Sequence, residues 1–318
     1  MKLLSMKLND EDRAGILIND EVLDVTRFIE IEEANAGQIA ADVYWGQAEP
    51  AKGAYRDALD IYLQGASWLR RILERAQSSE IFIKELRESN ALVPLERTKL
   101  NPPVLAPGKI LAVGLNYAAH AAEQNAKLPE FPLIFSKCVT ALIGPDDKIM
   151  LPRISDMIDY EAELAVVIGR EAKNIRAERA YEYVAGYTIM NDVTARDLQR
   201  RERQWTRAKG LDTFAPCGPW LVTADEIMDP HALNLELRVN GEARQRSNTS
   251  DLIFKIPQLI EFITEDLTLR AGDIISTGTP SGVGVYLEPP VFLKAGDSIE
   301  ITIERIGSLK NETAGPQD

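Results

Sequence analysis

From residue 109 to 308 the chain alternates short apolar runs with Gly and Pro punctuation, a pattern of strands rather than long helices. Runs at 161–168, 185–191, 218–223, 233–239, 273–277 and 297–304 each have the length of a strand. Asn240-Gly241, between Leu237-Arg-Val239 and Glu242-Ala-Arg244, signals a two-residue hairpin, since both residue types tolerate positive φ. Helical spacing interrupts near 176–184 and 256–265. No regular strand–helix–strand alternation occurs, which argues against a doubly wound parallel sheet. Upstream, residues 1–30 read as short strands with a hairpin around Asn19-Asp20. Ala58, Leu59, Ile61, Tyr62, Leu69, Ile72 and Leu73 then recur at helical spacing within 54–90. Asn101-Pro-Pro-Val-Leu-Ala-Pro-Gly108 suits a stiff surface turn or a linker. The strand-like Lys109-Ile-Leu-Ala-Val-Gly114 that follows at once favours the linker. The pattern predicts a small α+β N-terminal domain over 1–100, a linker over 101–108, a mainly β domain over 109–308 and a flexible tail over 309–318.

Composition narrows the function. The 318 residues are 45% hydrophobic and 27% charged, ordinary for a globular chain long enough for one or two cores. A net charge of −13 argues against a general nucleic-acid or anionic-membrane partner. It also demands a local cluster of positive charge if the substrate is an anion. No apolar run approaches the roughly 20 residues of a membrane span, and Met1–Asp10 carries no sustained apolar signal core. Cys138 and Cys217 form no metal or redox motif and read as reduced thiols of a cytoplasmic protein. The Asn-x-Ser/Thr matches at Asn248 and Asn311 then read as chance.

The candidate chemistry begins in Asp159-Tyr-Glu-Ala-Glu-Leu-Ala-Val-Val-Ile-Gly169. Glu161 and Glu163 stand two apart at the head of an apolar strand, on one face and roughly 6.5–7 Å apart along the backbone. An acidic strand edge in water would explain the pair. A second segment, Tyr187–Gln199, also runs apolar and then carries Asp192 at a strand-to-helix junction. A divalent cation would resolve the repulsion of three carboxylates. With no His or Cys beside them, the oxygen donors suit Mg²⁺ or Mn²⁺, with Ca²⁺ the other hard candidate and Zn²⁺ disfavoured. Arg196 and Gln199 share a helix face, and Lys209 follows Arg207, which beside a carboxylate-held metal suits a receptor for an anionic, oxygen-rich ligand. A solvated charged helix is the alternative, and Arg200, Arg201, Glu202 and Arg203 are assigned to it. His120 and Glu123 lie one helical turn apart, the geometry of a water-activating dyad or of a simple salt bridge. His231 reads as a loop residue without a role. Ser276-Thr-Gly-Thr-Pro-Ser-Gly-Val-Gly284 is either an irregular turn or a loop whose backbone and Thr donors approach a ligand.

Together these segments resemble one family. Gly114-Leu-Asn-Tyr…His120-x-x-Glu123, Phe135-Ser-Lys137, Tyr160-Glu-Ala-Glu-Leu164, Asn191–Gln199 and Thr277-Gly-Thr-Pro-x-Gly-Val-Gly284 occur in this order in the fumarylacetoacetate hydrolase superfamily. The resemblance implies a mixed β-roll or barrel-like domain, commonly in a homodimer. It implies that Glu161, Glu163 and Asp192 hold Mg²⁺ or Mn²⁺. Lys137, Arg196, Gln199 and Thr279 would contact substrate. His120 and Glu123 would activate water from a lid, while Lys209 stabilises enolate charge. The expected reaction is hydrolysis of a C–C bond in an acylpyruvate-like acid, as in the bacterial 2-oxo acid branch. The alternative is decarboxylase, isomerase or hydratase activity on a 2-oxo or 2-hydroxydienoate acid in aromatic degradation. A non-catalytic metal-binding protein stands last, because it need not keep the dyad. The helical stretch 54–90 departs from the short, strand-rich N-terminal domain of many relatives.

Overall fold

The computed structural model describes residues 1–35 and 55–316. The chain forms two compact units, Met1–Leu105 and Ala106–Asp318, and the division falls within the proline-rich stretch 101–108.

In the first unit, strands Lys2–Leu8, Glu11–Ile18, Glu21–Asp24 and Leu92–Pro94 form an antiparallel series, and Lys99–Leu100 pairs with the first. Asn19, at φ 56°, makes the expected hairpin. The predicted helical stretch begins at residue 54, which lies outside the described residues. Further on it is two helices, Ala58–Ser78 and Glu80–Glu88. They part at Ser79, whose extended backbone lets its side chain accept a hydrogen bond from Phe82 N–H and cap the second helix. Phe28 stacks on Trp68 and meets Phe82 edge-on, with both ring pairs 6.4 Å apart.

The second unit carries the mixed sheet that builds the site. Strand Ala162–Ile168 lies antiparallel to Val184–Asn191 on one side and to Ile274–Ser276 on the other. Ala215–Thr223 extends the sheet beyond the former. Ile110–Gly114 runs parallel to Ile274–Ser276 and antiparallel to Leu133–Lys137. Every residue of Ala162–Ile168 and Val184–Asn191 is buried, which is why both read as unbroken apolar runs rather than alternating ones. A second sheet orders Glu242–Asn248, Asn234–Val239, Ser298–Ile303, Gly307–Ala314 and Lys148–Met150. The Asn240-Gly241 turn has φ values of 52° and 81°, as a primed hairpin requires.

Two expectations are corrected here. Residues 309–314 of the expected flexible tail belong to strand Gly307–Ala314, paired on both edges, where Leu309, Asn311 and Thr313 turn inward. Residues 317–318 lie outside the described range. His231 has a structural role, since its Nε2 accepts the Ile256 N–H at 3.1 Å at the start of helix Ile256–Thr264.

Candidate active site

The acidic cluster follows from strand register. Ala162 opposes Asn191 and Glu163 opposes Met190, so Glu161 and Asp192 flank the paired ends. Asp192 N–H donates to Glu161 O at 2.9 Å, and Glu161 N–H donates to Asn191 Oδ1 at 3.0 Å. One carboxylate oxygen from each of Glu161, Glu163 and Asp192 then lies within 4.8 Å of the others, all three residues being buried. Opposite oxygens around a hard divalent ion are separated by about 4–5 Å, so this spacing fits such an ion.

The surrounding charges show which carboxylate lacks compensation. Asp159 and Glu161 share Arg196, whose Nε donates to Asp159 at 2.8 Å and whose Nη2 lies 2.7 Å from Glu161 Oε1. Lys209 Nζ donates to Glu161, Asp192 and Thr194 Oγ1 at 2.7–2.8 Å. Lys137 also donates to Asp192. Among the described residues Glu163 has no such cation; it accepts from Ser276 Oγ and Gly278 N–H, both through Oε2. Burial, then repulsion from Asp192 and Glu161, pushes Glu163 up to about 8. Burial opposes ionisation of Glu161 too, but Lys209 and Arg196 overcome it and hold that carboxyl down to about 2. Burial likewise works against the Lys209 ammonium, yet Asp192 and Glu161 raise its pKa above the ordinary value, so it stays charged. Burial pulls the Lys137 ammonium below its ordinary value, and Glu163, with no cation beside it, holds a proton at neutral pH that a bound divalent cation would displace.

The Gly-rich loop supplies donors, but to the protein's own carboxylates. Gly278 serves Glu163, Gly282 N–H reaches Glu123 Oε1 at 2.9 Å, and Gly284 and Val285 hold Asp159. Gly278 sits at φ +102°, and a Cβ there would fall 2.8 Å from the Asn116 side chain. Asn116 in turn donates to Thr277 O at 2.7 Å. Buried Gln245 ties the site to the second sheet by accepting from Ala162 N–H and donating to Thr279 Oγ1 and Pro280 O.

Helix Ala118–Glu123 follows strand Ile110–Gly114 and carries the dyad. Glu123 Oε2 lies 2.9 Å from His120 Nδ1, and the Gln124 amide nitrogen lies 2.6 Å from His120 Nε2. An amide nitrogen only donates, so Nε2 accepts, and the proton sits on Nδ1 facing Glu123. His120 borders a cavity of about 160 Å³. His120, Gln124, Glu161, Glu163, Asp192, Arg196, Gln199, Arg200, Lys209, Thr279 and Tyr286 line it, with Phe135, Trp205 and Val285 as apolar wall. Gly114 lets Trp205 approach, as a Cβ there would come within 2.2 Å of the indole.

The structure gathers Glu161, Glu163, Asp192, His120, Lys209, Arg196, Gln199 and Thr279 on this cavity. Glu123 stands behind His120. Lys137, expected to contact substrate, is instead buried behind Asp192, with its ammonium also turned to the carbonyls of Val193 and Lys209. It anchors a candidate metal ligand. Arg200, assigned to a solvated face, lines the cavity. The sequence pattern does not point to Asp159, Gln124, Gln245 or Tyr286; the i, i+2 spacing of Asp159 and Glu161 was the one signal available for Asp159.

The fold is mixed α+β and holds a buried acidic triad consistent with a divalent metal site. Residues 109–314 match the family model described as fumarylacetoacetate (FAA) hydrolase C-terminal, and the chain belongs to the fumarylacetoacetate hydrolase superfamily. It is 46% identical over 244 residues to a mitochondrial oxaloacetate tautomerase of Rattus norvegicus, covering 76% of this chain and 78% of that protein. Its structure is similar to that of a 5-carboxymethyl-2-hydroxymuconate delta-isomerase from Mycobacterium smegmatis, with 36% identity, a TM-score of 0.71 and all of both chains covered. It is also similar to a maleylpyruvate hydrolase from Sphingobium sp. SYK-6, with 31% identity and a TM-score of 0.73 over 99% of this chain and 100% of that one. Among the described residues, no helix is long and apolar enough to cross a membrane.

Proposed function

We propose that this protein is a divalent-metal-dependent isomerase that interconverts the keto and enol forms of a small 2-oxo acid. One observation carries the reading: a carboxylate triad fit for a hard cation shares a small cavity with a single oriented imidazole. That is enough for proton transfer beside a stabilised enolate. The volume of about 160 Å³ is below the 300–1,000 Å³ of pockets for drug-sized ligands, which favours an acid of few carbons. Mg²⁺ or Mn²⁺, held by Glu161, Glu163 and Asp192, would supply a Lewis acid toward the carboxylate and 2-oxo oxygens.

The chain's own residues account for the rest. Lys209, kept charged by Asp192 and Glu161, offers positive charge to the C2 oxygen as enolate character develops. His120, oriented by Glu123, moves the proton between C3 and the C2 oxygen once substrate displaces Gln124 from Nε2. Phe135, Trp205 and Val285 limit water around the reacting carbons. A reducing compartment, which both free thiols fit, belongs to the same reading.

Hydrolysis of an acylpyruvate-like acid, the first expectation from the sequence, needs the same residues plus a water delivered by His120. The maleylpyruvate hydrolase favours it at 31% identity, whereas the tautomerase supports isomerisation at 46%. The test offers enolic oxaloacetate and an acylpyruvate to Mg²⁺-loaded protein, following enol absorbance and pyruvate release. Isomerisation predicts accelerated enol loss without pyruvate beyond the enzyme-free control. Rapid acylpyruvate cleavage with no effect on enol loss would overturn it.

A further inference from the structure

We propose that Arg200 is a specificity-determining residue that binds the distal carboxylate of a dicarboxylic 2-oxo acid. The inference deepens the isomerase reading by naming the substrate class, and it rests on that reading for the reaction only. On helix Arg196–Glu202, positions 196, 199 and 200 share one face, and all three side chains line the cavity. Burial along that face grades from buried Arg196 through half-buried Gln199 to exposed Arg200. The helix therefore runs from cavity floor to mouth.

The other cations of the site are engaged. Arg196 is held by Asp159 and Glu161, Lys209 by Glu161 and Asp192, and Lys137 by Asp192. Arg200 makes no ion pair among the described residues, while the nearby acid Glu202 already pairs with Arg201 at 2.8 Å. A guanidinium free at the mouth can grip a carboxylate through two parallel hydrogen bonds. Four residues of helix rise about 6 Å, comparable to the span between the two carboxylates of a four-carbon diacid. On a chain of net charge −13, an unpaired cation at the mouth also draws in a dianion that the rest of the surface repels.

The experiment is calorimetric binding to Mg²⁺-loaded protein with oxaloacetate, pyruvate and oxalate as probes. Pyruvate carries the same 2-oxo acid head without the distal carboxylate, and oxalate has no arm to reach the mouth. Arg200→Gln should weaken oxaloacetate roughly 10- to 100-fold, the range for a hydrogen bond to a charged group, and move pyruvate and oxalate by less than about 2-fold. Arg200→Lys should recover part of the loss. Arg201→Gln, off the cavity, should change nothing. Equal weakening of all three probes, or no weakening of oxaloacetate, would overturn the assignment. Selective loss for oxaloacetate in a protein that never accelerates enol exchange would sink the isomerase reading and leave Arg200 standing. Enol exchange without any selective loss would do the reverse.

Discussion

Replacing Glu163 by Gln should make the metal-free protein more stable in mild alkali and less responsive to metal. Gln is isosteric, and its carbonyl oxygen can still accept from Ser276 Oγ and Gly278 N–H. It cannot ionise. Burial and the charges of Asp192 and Glu161 hold native Glu163 near 8, against about 4.3 for an ordinary glutamate. Between about pH 4.5 and 8 the native protein therefore keeps a proton that the unfolded chain has released. The unfolded state then binds fewer protons, so stability falls as pH rises across that window, and the whole cost is present above about pH 8. At about 1.4 kcal/mol per pH unit the upper bound is about 5 kcal/mol, and relaxation around the site should bring it to roughly 2–5 kcal/mol. Urea unfolding in chelator at half-unit steps from pH 5 to 9 measures this directly. The wild type should lose stability along the series, and Glu163→Gln should lose less by that amount. Saturating Mg²⁺ should stabilise the wild type more than Glu163→Gln and narrow the gap, because ion at 100 times its Kd adds about 2.7 kcal/mol to the native state that binds it. Parallel pH profiles in chelator would refute the claim that Glu163 carries the uncompensated charge.

Two other outcomes follow from the same geometry, and a third from the family resemblance. His120→Ala should leave metal and oxalate binding nearly unchanged while lowering turnover about 10²–10⁴-fold in steady-state assays; wild-type turnover would make His120 a structural residue. Lys137→Met should destabilise the protein by about 3–5 kcal/mol in denaturant titrations, by leaving Asp192 short of a buried cation, whereas a cavity-facing lysine would cost little stability. Sedimentation equilibrium at micromolar protein should give a homodimer of the 35.3 kDa chain, and a monomer alone would refute that proposal.

The triad was legible because two local rules suffice for it. Alternation puts Glu161 and Glu163 on one face, and antiparallel pairing of two apolar strands brings their acidic ends together. The His120–Glu123 contact fits helical spacing, which by itself left a dyad and a simple salt bridge equally open. Depth was not. Lys137 ends a strand next to Phe135 in the wall, but nothing local says that its side chain turns behind Asp192. Arg200 sits in a run of arginines whose orientation depends on which face of a seven-residue helix meets the cavity. Gln245 is invisible from local pattern, being an ordinary polar residue of a hairpin until tertiary packing carries its amide to Ala162 and Thr279. The polar spacing of Lys310-Asn-Glu-Thr reads as tail, because the strand owes its place to partners on both edges rather than to its own composition.

The most direct test of the central claim is metal titration of chelator-stripped protein, with ion binding and enol–keto exchange of oxaloacetate followed together. Enzyme-dependent exchange should be absent at the start and return in proportion to bound Mg²⁺ or Mn²⁺, reaching its plateau at one ion per chain, and Glu163→Gln should shift the curve to higher metal. Full exchange by the stripped protein, or a plateau reached with no ion bound at Glu161, Glu163 and Asp192, would contradict the account.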